Sequence, residues 1–185
     1  MRIPSVNLKP HLAALGVFLL LGGFATAEPA PPELIEKLRT APEAEARRVA
    51  REVETVWSRS GSPAMDLLLK RGRDALEAEE YALAIDHLTA LTDHAPDFAE
   101  GWRARAEAFF RADLYGPALD DLERTLALNP QHYEAIFGLG VMLQEFGDLQ
   151  RAAEAYRRVL AIHPHHPHAG DALTRLRREG IGREL

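Results

Sequence analysis

Apolar residues recur at intervals of three and four along most of this chain past residue 30, as in Ile85, Leu88 and Leu91 or Leu119, Leu122 and Leu126. That spacing lines them along one face of an α-helix. Polar breaks interrupt the runs at Glu79-Glu80, Asp113 and Gly147-Asp148, the last pair carrying strong turn chemistry. Three prolines, Pro96, Pro130 and Pro164, close the runs 34 residues apart. Each unit between them reads as an antiparallel helix pair. No alternating β-branched run, the mark of a half-buried strand, occurs past residue 27.

Laid over one another on the 34-residue period, other positions agree. Ala84, Ala118 and Ala152 superimpose, as do the small residues Gly72, Ala106 and Gly140. Large residues align as Tyr81, Tyr115 and Leu149 and as Leu88, Leu122 and Tyr156, and TLALNP at 125–130 is nearly repeated as VLAIHP at 159–164. Two helices cross at close range only where a side chain is small, and large residues fill the space beside the contact. The aromatic, small residue, alanine and closing proline of the middle unit, Trp102, Ala106, Ala118 and Pro130, resemble the pattern of the tetratricopeptide repeat (TPR) family. The flanking units keep it as Gly72, Ala84, Pro96 and Gly140, Ala152, Pro164, with Leu68 and Ile136 in place of the leading aromatic. The resemblance implies an all-α, right-handed helical-repeat solenoid of helix-turn-helix pairs with N- and C-terminal capping helices. Its repeat region would span 64–164, with units at 65–98, 99–132 and 133–166.

The flanks read as caps, because an end repeat left bare would expose an apolar face to water. In residues 31–59, Val49, Val53, Val56 and Trp57 form one apolar stripe, Thr40 and Glu43 are spaced as a capping box, Pro42 suits an early helical position, and Ala50 falls on the 34-residue grid. Residues 28–63 are expected to be a degenerate unit with a short first helix, laying Trp57 on the first full repeat, and Gly61-Ser62-Pro63 is the expected hinge. Residues 167–185 predict a capping helix and tail. Leu173 and Leu176 share one side of it, Arg175, Arg177 and Arg178 sit near a helix end that favours positive charge, and Gly180 suits the stop.

Residues 1–27 follow a different pattern: Arg2 and Lys9, an apolar run from Leu12 to Ala25, and Ala25-Thr26-Ala27 before Glu28. This is the layout of a cleavable secretory signal. The run is shorter than the roughly 20 residues that span a bilayer. Cleavage would remove two cations from a net charge of −6 and leave −8, and no second apolar stretch supplies a stable membrane anchor. Nineteen arginines against three lysines, with many alanines, suggest a GC-rich bacterial genome. The expected location is therefore the periplasm of a Gram-negative bacterium. The acidic balance excludes general nucleic-acid binding, which draws its affinity from clustered Lys and Arg. Zero cysteines exclude disulfides, thiolate metal sites and thiol nucleophiles.

In the family the chain resembles, the first helix of each unit lines a concave face. The resemblance implies a groove of Leu69, Arg73 and Leu76, then Arg103, Glu107, Phe110 and Arg111, then Phe137, Val141 and Gln144, with Asp66 and Glu134 beside them. Apolar anchors ringed by arginines suit a peptide, the anchors for affinity and the charges for register. Some members of the family grip a C-terminal carboxylate with Lys, Asn and Arg side chains. The matching places here hold Leu69, Arg73, Ala104, Glu134 and Gly138, so that clamp is missing.

His163, His165, His166 and His168 lie within six residues and are weak candidates for a metal site, beside the plainer reading of a polar inter-repeat turn. The carboxylates Glu43, Glu45, Glu79, Glu80, Asp120 and Asp121 fall at turns or on exposed helix faces, and Ser58, Ser60 and Ser62 have no histidine nearby in sequence and no nucleophile-elbow glycines. No catalytic residue and no cofactor is expected. The expected function is a non-catalytic adaptor that binds another protein or a peptide segment in the bacterial cell envelope. A self-associating scaffold, a homo-oligomer, is the alternative, and metal binding through the histidine tract the lesser one.

Overall fold

The computed structural model describes residues 30–178. The signal at 1–27 and the stop at Gly180 lie outside the described residues. Among these there are nine α-helices and no strand: α1 Pro32–Thr40, α2 Glu43–Trp57, α3 Pro63–Glu77, α4 Tyr81–His94, α5 Ala99–Arg111, α6 Tyr115–Leu128, α7 Tyr133–Glu145, α8 Leu149–Ile162 and α9 Ala169–Arg178. Pro32 and Pro63 open α1 and α3, positions where a missing amide hydrogen is harmless because first-turn amides have no helical partner. The pairs α3/α4, α5/α6 and α7/α8 form three repeats stacked in order, α4 against α5 and α6 against α7.

The 34-residue period acts through two kinds of turn. Within each pair the chain reverses at a left-handed residue in the same place: Glu79 at φ 60°, Asp113 at φ 60° and Gly147 at φ 80°. Only the third is glycine, for which that conformation carries no Cβ clash. Between pairs, the amides of Phe98, His132 and His166 donate to the carbonyls of Ala95, Asn129 and His163 at 3.0, 3.1 and 3.0 Å. Pro96, Pro130 and Pro164 thus take the second place of a four-residue turn, which their fixed φ fits. Arg124 and Arg158 each donate to one of these prolines' carbonyls, Pro96 O at 3.3 Å and Pro130 O at 2.7 Å.

The aligned small residues sit where helices touch. A Cβ on Gly72 would lie 2.4 Å from Leu88 Cγ, and one on Gly140 2.7 Å from Tyr156 Cε1. Ala84, Ala118 and Ala152 are wholly buried. Small against large at the crossing is the packing that the period predicts.

The N-terminal unit departs from expectation. Helices α1 and α2 form a hairpin whose apolar face, Ile35, Leu38, Val49, Val53 and Trp57, joins the core of the third repeat and α9, among Tyr133, Ile136, Tyr156 and Val159. The first repeat keeps a separate core around Leu69, Leu88 and Leu91. Trp57 stacks on His132 with ring centroids 4.3 Å apart and lies 5.1 Å from the Tyr133 ring. The Tyr133 hydroxyl donates to Glu54 Oε1 at 2.9 Å, and Arg39 Nε donates to Ala161 O at 3.2 Å. An amphipathic stripe dictates that a face be buried, not what buries it. At the start of α7 stand two adjacent rings, His132 and Tyr133, where the start of α5 has Phe98 and Ala99.

Two smaller expectations also change. Thr40 caps nothing: it ends α1, its hydroxyl donates back to Glu36 O at 2.9 Å, and Pro42 precedes α2. The linker at Gly61 is pinned, since the amide and hydroxyl of Ser60 both donate to Asp66 Oδ1, at 2.8 and 2.6 Å, and the Ser62 amide donates to Ser60 Oγ. At the other end α9 packs along α8 with Leu173 and Leu176 buried.

Candidate functional site

Three acidic residues share one place in the period, near the start of α3, α5 and α7: Asp66, Glu100 and Glu134. Two histidines, His132 and His166, share another, 32 residues after Glu100 and Glu134. The turn that ends a repeat carries its histidine back over the first turn of that repeat's leading helix, pairing His132 Nε2 with Glu100 Oε2 at 2.9 Å and His166 Nε2 with Glu134 Oε1 at 3.3 Å. In the first repeat Phe98 takes the histidine's place, and Asp66 holds Ser60 instead.

Glu100 is the centre of the polar contacts. It is buried, and both its oxygens accept from Arg103 Nε, at 2.9 and 3.0 Å, while Arg73 Nη2 donates to Oε1. Burial alone would raise its carboxyl. The Arg103 guanidinium and the hydrogen bond from His132 outweigh that and hold it well below the usual carboxylate range. Arg103 shows the converse: burial opposes its charge, but Glu100 and then Glu107, at 3.0 Å, push the guanidinium further up. Glu134 is also lowered, its desolvation overcome by His166.

Two clefts open beside this pair. One, of about 640 Å³, lies between α2 and the repeats and is lined by Arg51, Glu54, Thr55, Trp57, Ser58 and Arg59 of the hairpin and its linker, Arg73, Glu100, Arg103, His132 and Glu134. The other, of about 290 Å³, lies on the concave face between α5 and α7, lined by Arg103, Ala106, Glu107, Phe110, Arg111, Leu122, Glu134, Phe137, Gly138, Val141 and Met142. Arg103 and Glu134 line both, so the two are adjacent. The second cleft is floored by aromatic and aliphatic side chains, the first by charges.

Of the residues expected to form the groove, Arg103, Glu107, Phe110, Arg111, Phe137 and Val141 meet in the smaller cleft. Leu69 does not line a groove: it is 2% exposed, inside the core of the first repeat. Leu76 packs at the edge of that same core, and the Gln144 side chain accepts from the Tyr156 hydroxyl at 2.9 Å. Arg73 and Arg103 are not free to meet a ligand's charge, since both hold Glu100, and Arg73 also donates to Ser58 Oγ at 3.1 Å. Asp121, expected on an exposed face, is buried and takes a two-pronged ion pair from Arg105 at 2.7 and 2.9 Å. Sequence reasoning passed over Glu100, His132, Arg51 and Arg59. The signal for the first two was the recurrence of an acid and a histidine on the same period as the prolines.

The histidine tract is split by the turn. His163 and His166 are buried, while His165 and His168 are exposed. His166 Nδ1 accepts the amides of His168 and Ala169, at 3.3 and 3.1 Å, where α9 starts, so Nε2 carries its proton toward Glu134. That leaves no lone pair on His166 for a metal. Both ring nitrogens of His163 are buried without partners, and desolvation pushes its imidazole down to about 4. Among the described residues no group of three or more His, Cys, Asp or Glu is placed to hold a metal ion. Nor is any described helix long and apolar enough to cross a membrane.

Stacked antiparallel helix pairs on a 34-residue period, with small residues at each crossing, define a helical-repeat protein. The tetratricopeptide repeat model matches residues 69–116 and 115–167, and the chain belongs to that family. A TPR repeat-containing protein of Rhizobium etli is 32% identical over 119 residues, 64% of this chain and 58% of that protein. A heat-shock protein cognate co-chaperone of Aspergillus fumigatus is 30% identical over 128 residues, 66% of this chain and 38% of its own length. The chain thus matches less than two thirds of either relative. Among solved structures, the first TPR of Spaghetti bound to an HSP90 peptide superposes with a TM-score of 0.60 at 26% identity, over 64% of this chain and 94% of that one. MamA shares the fold, with a TM-score of 0.59 at 24% identity over 82% of each chain.

Proposed function

We propose that this chain is a non-catalytic adaptor that holds an extended peptide segment of another protein on its concave face, and that it works in the bacterial envelope after export. The observation that carries the reading is the smaller cleft. Phe110, Phe137 and Val141 are only partly buried there, beside Leu122 and Met142, with Arg111 exposed at the rim. Part-buried rings in a concave site with charge around them are what anchors a side chain of a partner. The solved TPR of Spaghetti, which holds an HSP90 peptide, supports this reading for the same scaffold. Leu69 and Ala104 are buried and apolar, so the repeats themselves present no charged clamp for a chain end. Export rests on the layout of residues 1–27.

The test is crosslinking and capture of the full chain in the envelope of its own host, wild type against Phe110→Asp. A protein captured by the wild type and lost from the variant, with circular dichroism unchanged, is the expected result. An identical capture profile, or a variant that no longer folds while Phe137→Ser folds and captures normally, would remove the concave face from the mechanism.

A further inference from the structure

The larger cleft has a wall that the repeats do not supply. Arg51 on α2 and Arg59 just after it line it from the hairpin side, both exposed, and among the described residues neither holds an ion pair. Their neighbours differ: Arg48, one turn earlier than Arg51, pairs with Glu45 and Glu52, and Lys37 pairs with Glu52. Arg51 and Arg59 thus stand at the cleft without an acidic partner, in a chain of net charge −6.

Two buried polar atoms of residues lining this cleft, one on the hairpin and one on the repeats, are also without partners. Trp57, 6% exposed, keeps its indole Nε1–H unbonded, and His132, 1% exposed, keeps Nδ1 unbonded. An indole N–H is a donor only, and leaving it buried and unmade is costly, so its natural complement is an acceptor oxygen entering the cleft. The acids present do not meet the need. Glu100 is engaged by Arg73, Arg103 and His132, and Glu54 accepts from Tyr133.

Building on the adaptor reading, we infer that the cleft between α2 and the repeats is a subsite for a single carboxylate of the bound peptide, received by Arg51 and Arg59 with the Trp57 indole N–H as a further donor, while an apolar residue of the same peptide sits between Phe110 and Phe137. The clefts adjoin at Arg103 and Glu134, which line both, so one extended segment crossing these two side chains would reach both. Glu134 stands at the junction and repels a second acid there, which favours one carboxylate over an acidic run. The subsite is built by the hairpin, a part of the chain outside the three repeats. The carboxylate has two sources, an aspartate or glutamate side chain or the end of the peptide.

Three labelled hexapeptides sharing a Leu-Phe pair test this against the full chain by fluorescence anisotropy. One ends in aspartate with the C terminus amidated, one in asparagine with a free carboxylate, and one in asparagine with the amide and no carboxylate. At least one acid peptide is expected to bind about tenfold tighter than the neutral one, as suits hydrogen bonds to a charged group, and Arg51→Ala/Arg59→Ala should erase that difference alone. Which acid peptide gains identifies the source. Equal binding of all three, or a difference that survives in the double variant, overturns the subsite. The adaptor reading fails separately, if Phe110→Asp leaves binding of the neutral peptide unchanged.

Should none of the peptides bind, the Trp57 indole N–H resonance is followed with acetate alone, Trp102 serving as control because its indole already donates to Pro96 O at 2.9 Å. A Trp57 shift that the double variant abolishes upholds the subsite while the apolar groove falls. No shift overturns both.

Discussion

The two ends of the stack obey different rules. At the C-terminal end α9 simply continues the series, lying along α8 as the next helix in line. The N-terminal hairpin is tied to the first repeat by a five-residue linker, residues 58–62, yet its apolar face is buried in the core of the third. Nearest-neighbour stacking explains α9 and every repeat between. The hairpin is placed by something else, the match of Trp57 to His132 and Tyr133, and that long-range contact creates the larger cleft by setting α2 opposite α5 and α7. A solenoid becomes a walled site when one element ignores the period.

The sharpest way to break this contrast is Trp57→Ala. Removing a buried ring of this size costs about 3–5 kcal/mol, and hydrogen exchange should then show the amides of α1 and α2 released while those of α3 to α8 stay protected. Uniform loss of protection would make hairpin and repeats one cooperative unit and end the distinction. Next in size, Gly72→Ala strains the repeats alone, since its Cβ would meet Leu88 Cγ at 2.4 Å. The melting temperature should fall by an amount worth about 1–3 kcal/mol of overpacking, with the Trp57–His132 stack intact by NMR.

Acid sharpens the comparison at the seam where the two regions join. His163 is held neutral, its pKa lowered from 6.5 to about 4 by burial, with His166 beside it opposing its charge and Glu134 only partly compensating. Below pH 6.5 the unfolded chain takes up a proton that the folded chain does not. The stability that this neutral imidazole preserves is complete above that pH and drains away as pH falls toward 4, at up to about 1.4 kcal/mol per pH unit. Glu100, lowered instead, adds stability above the ordinary Glu range that fades only in stronger acid. In urea titrations from pH 7 to 4.5, His163→Phe should flatten the curve, and an unchanged slope would place the effect elsewhere. The smallest effect belongs to the turns: Glu79→Gly relieves a left-handed residue at φ 60° and should stabilise the first repeat by up to about 1 kcal/mol, read from the urea midpoint.

Most of the fold was legible in the residues. The 34-residue spacing of Pro96, Pro130 and Pro164, and the register of Gly72 and Gly140 against Leu88 and Tyr156, place three helix pairs in order because each contact is local in sequence. The hairpin was not legible in the same way. The stripe of Val49, Val53 and Trp57 announces a buried face, but its counterpart is Tyr133, far along the chain. The site was half legible. Counting along the leading helices brings Phe110, Phe137 and Val141 together, yet the same count points Leu69 at the groove when the helix turns it into the core. Arg73 and Arg103 read as ligand-facing charges until Glu100 is seen between them. That partner is three residues from Arg103 and on the same grid as Glu134, so the spacing held the information. Arg51 and Arg59 become part of a site only through the placement of α2, which no local pattern encodes.

The position of Trp57 is the observation from which the cleft and its ligand chemistry descend, and proton NOEs measure it directly. With ring centroids 4.3 Å from His132 and 5.1 Å from Tyr133, the Trp57 indole should show strong NOEs to both rings and none to Leu68 or Leu69. NOEs from Trp57 to those leucines in place of the rings would put the hairpin on the first repeat, dissolve the larger cleft and contradict both the walled site and its carboxylate chemistry.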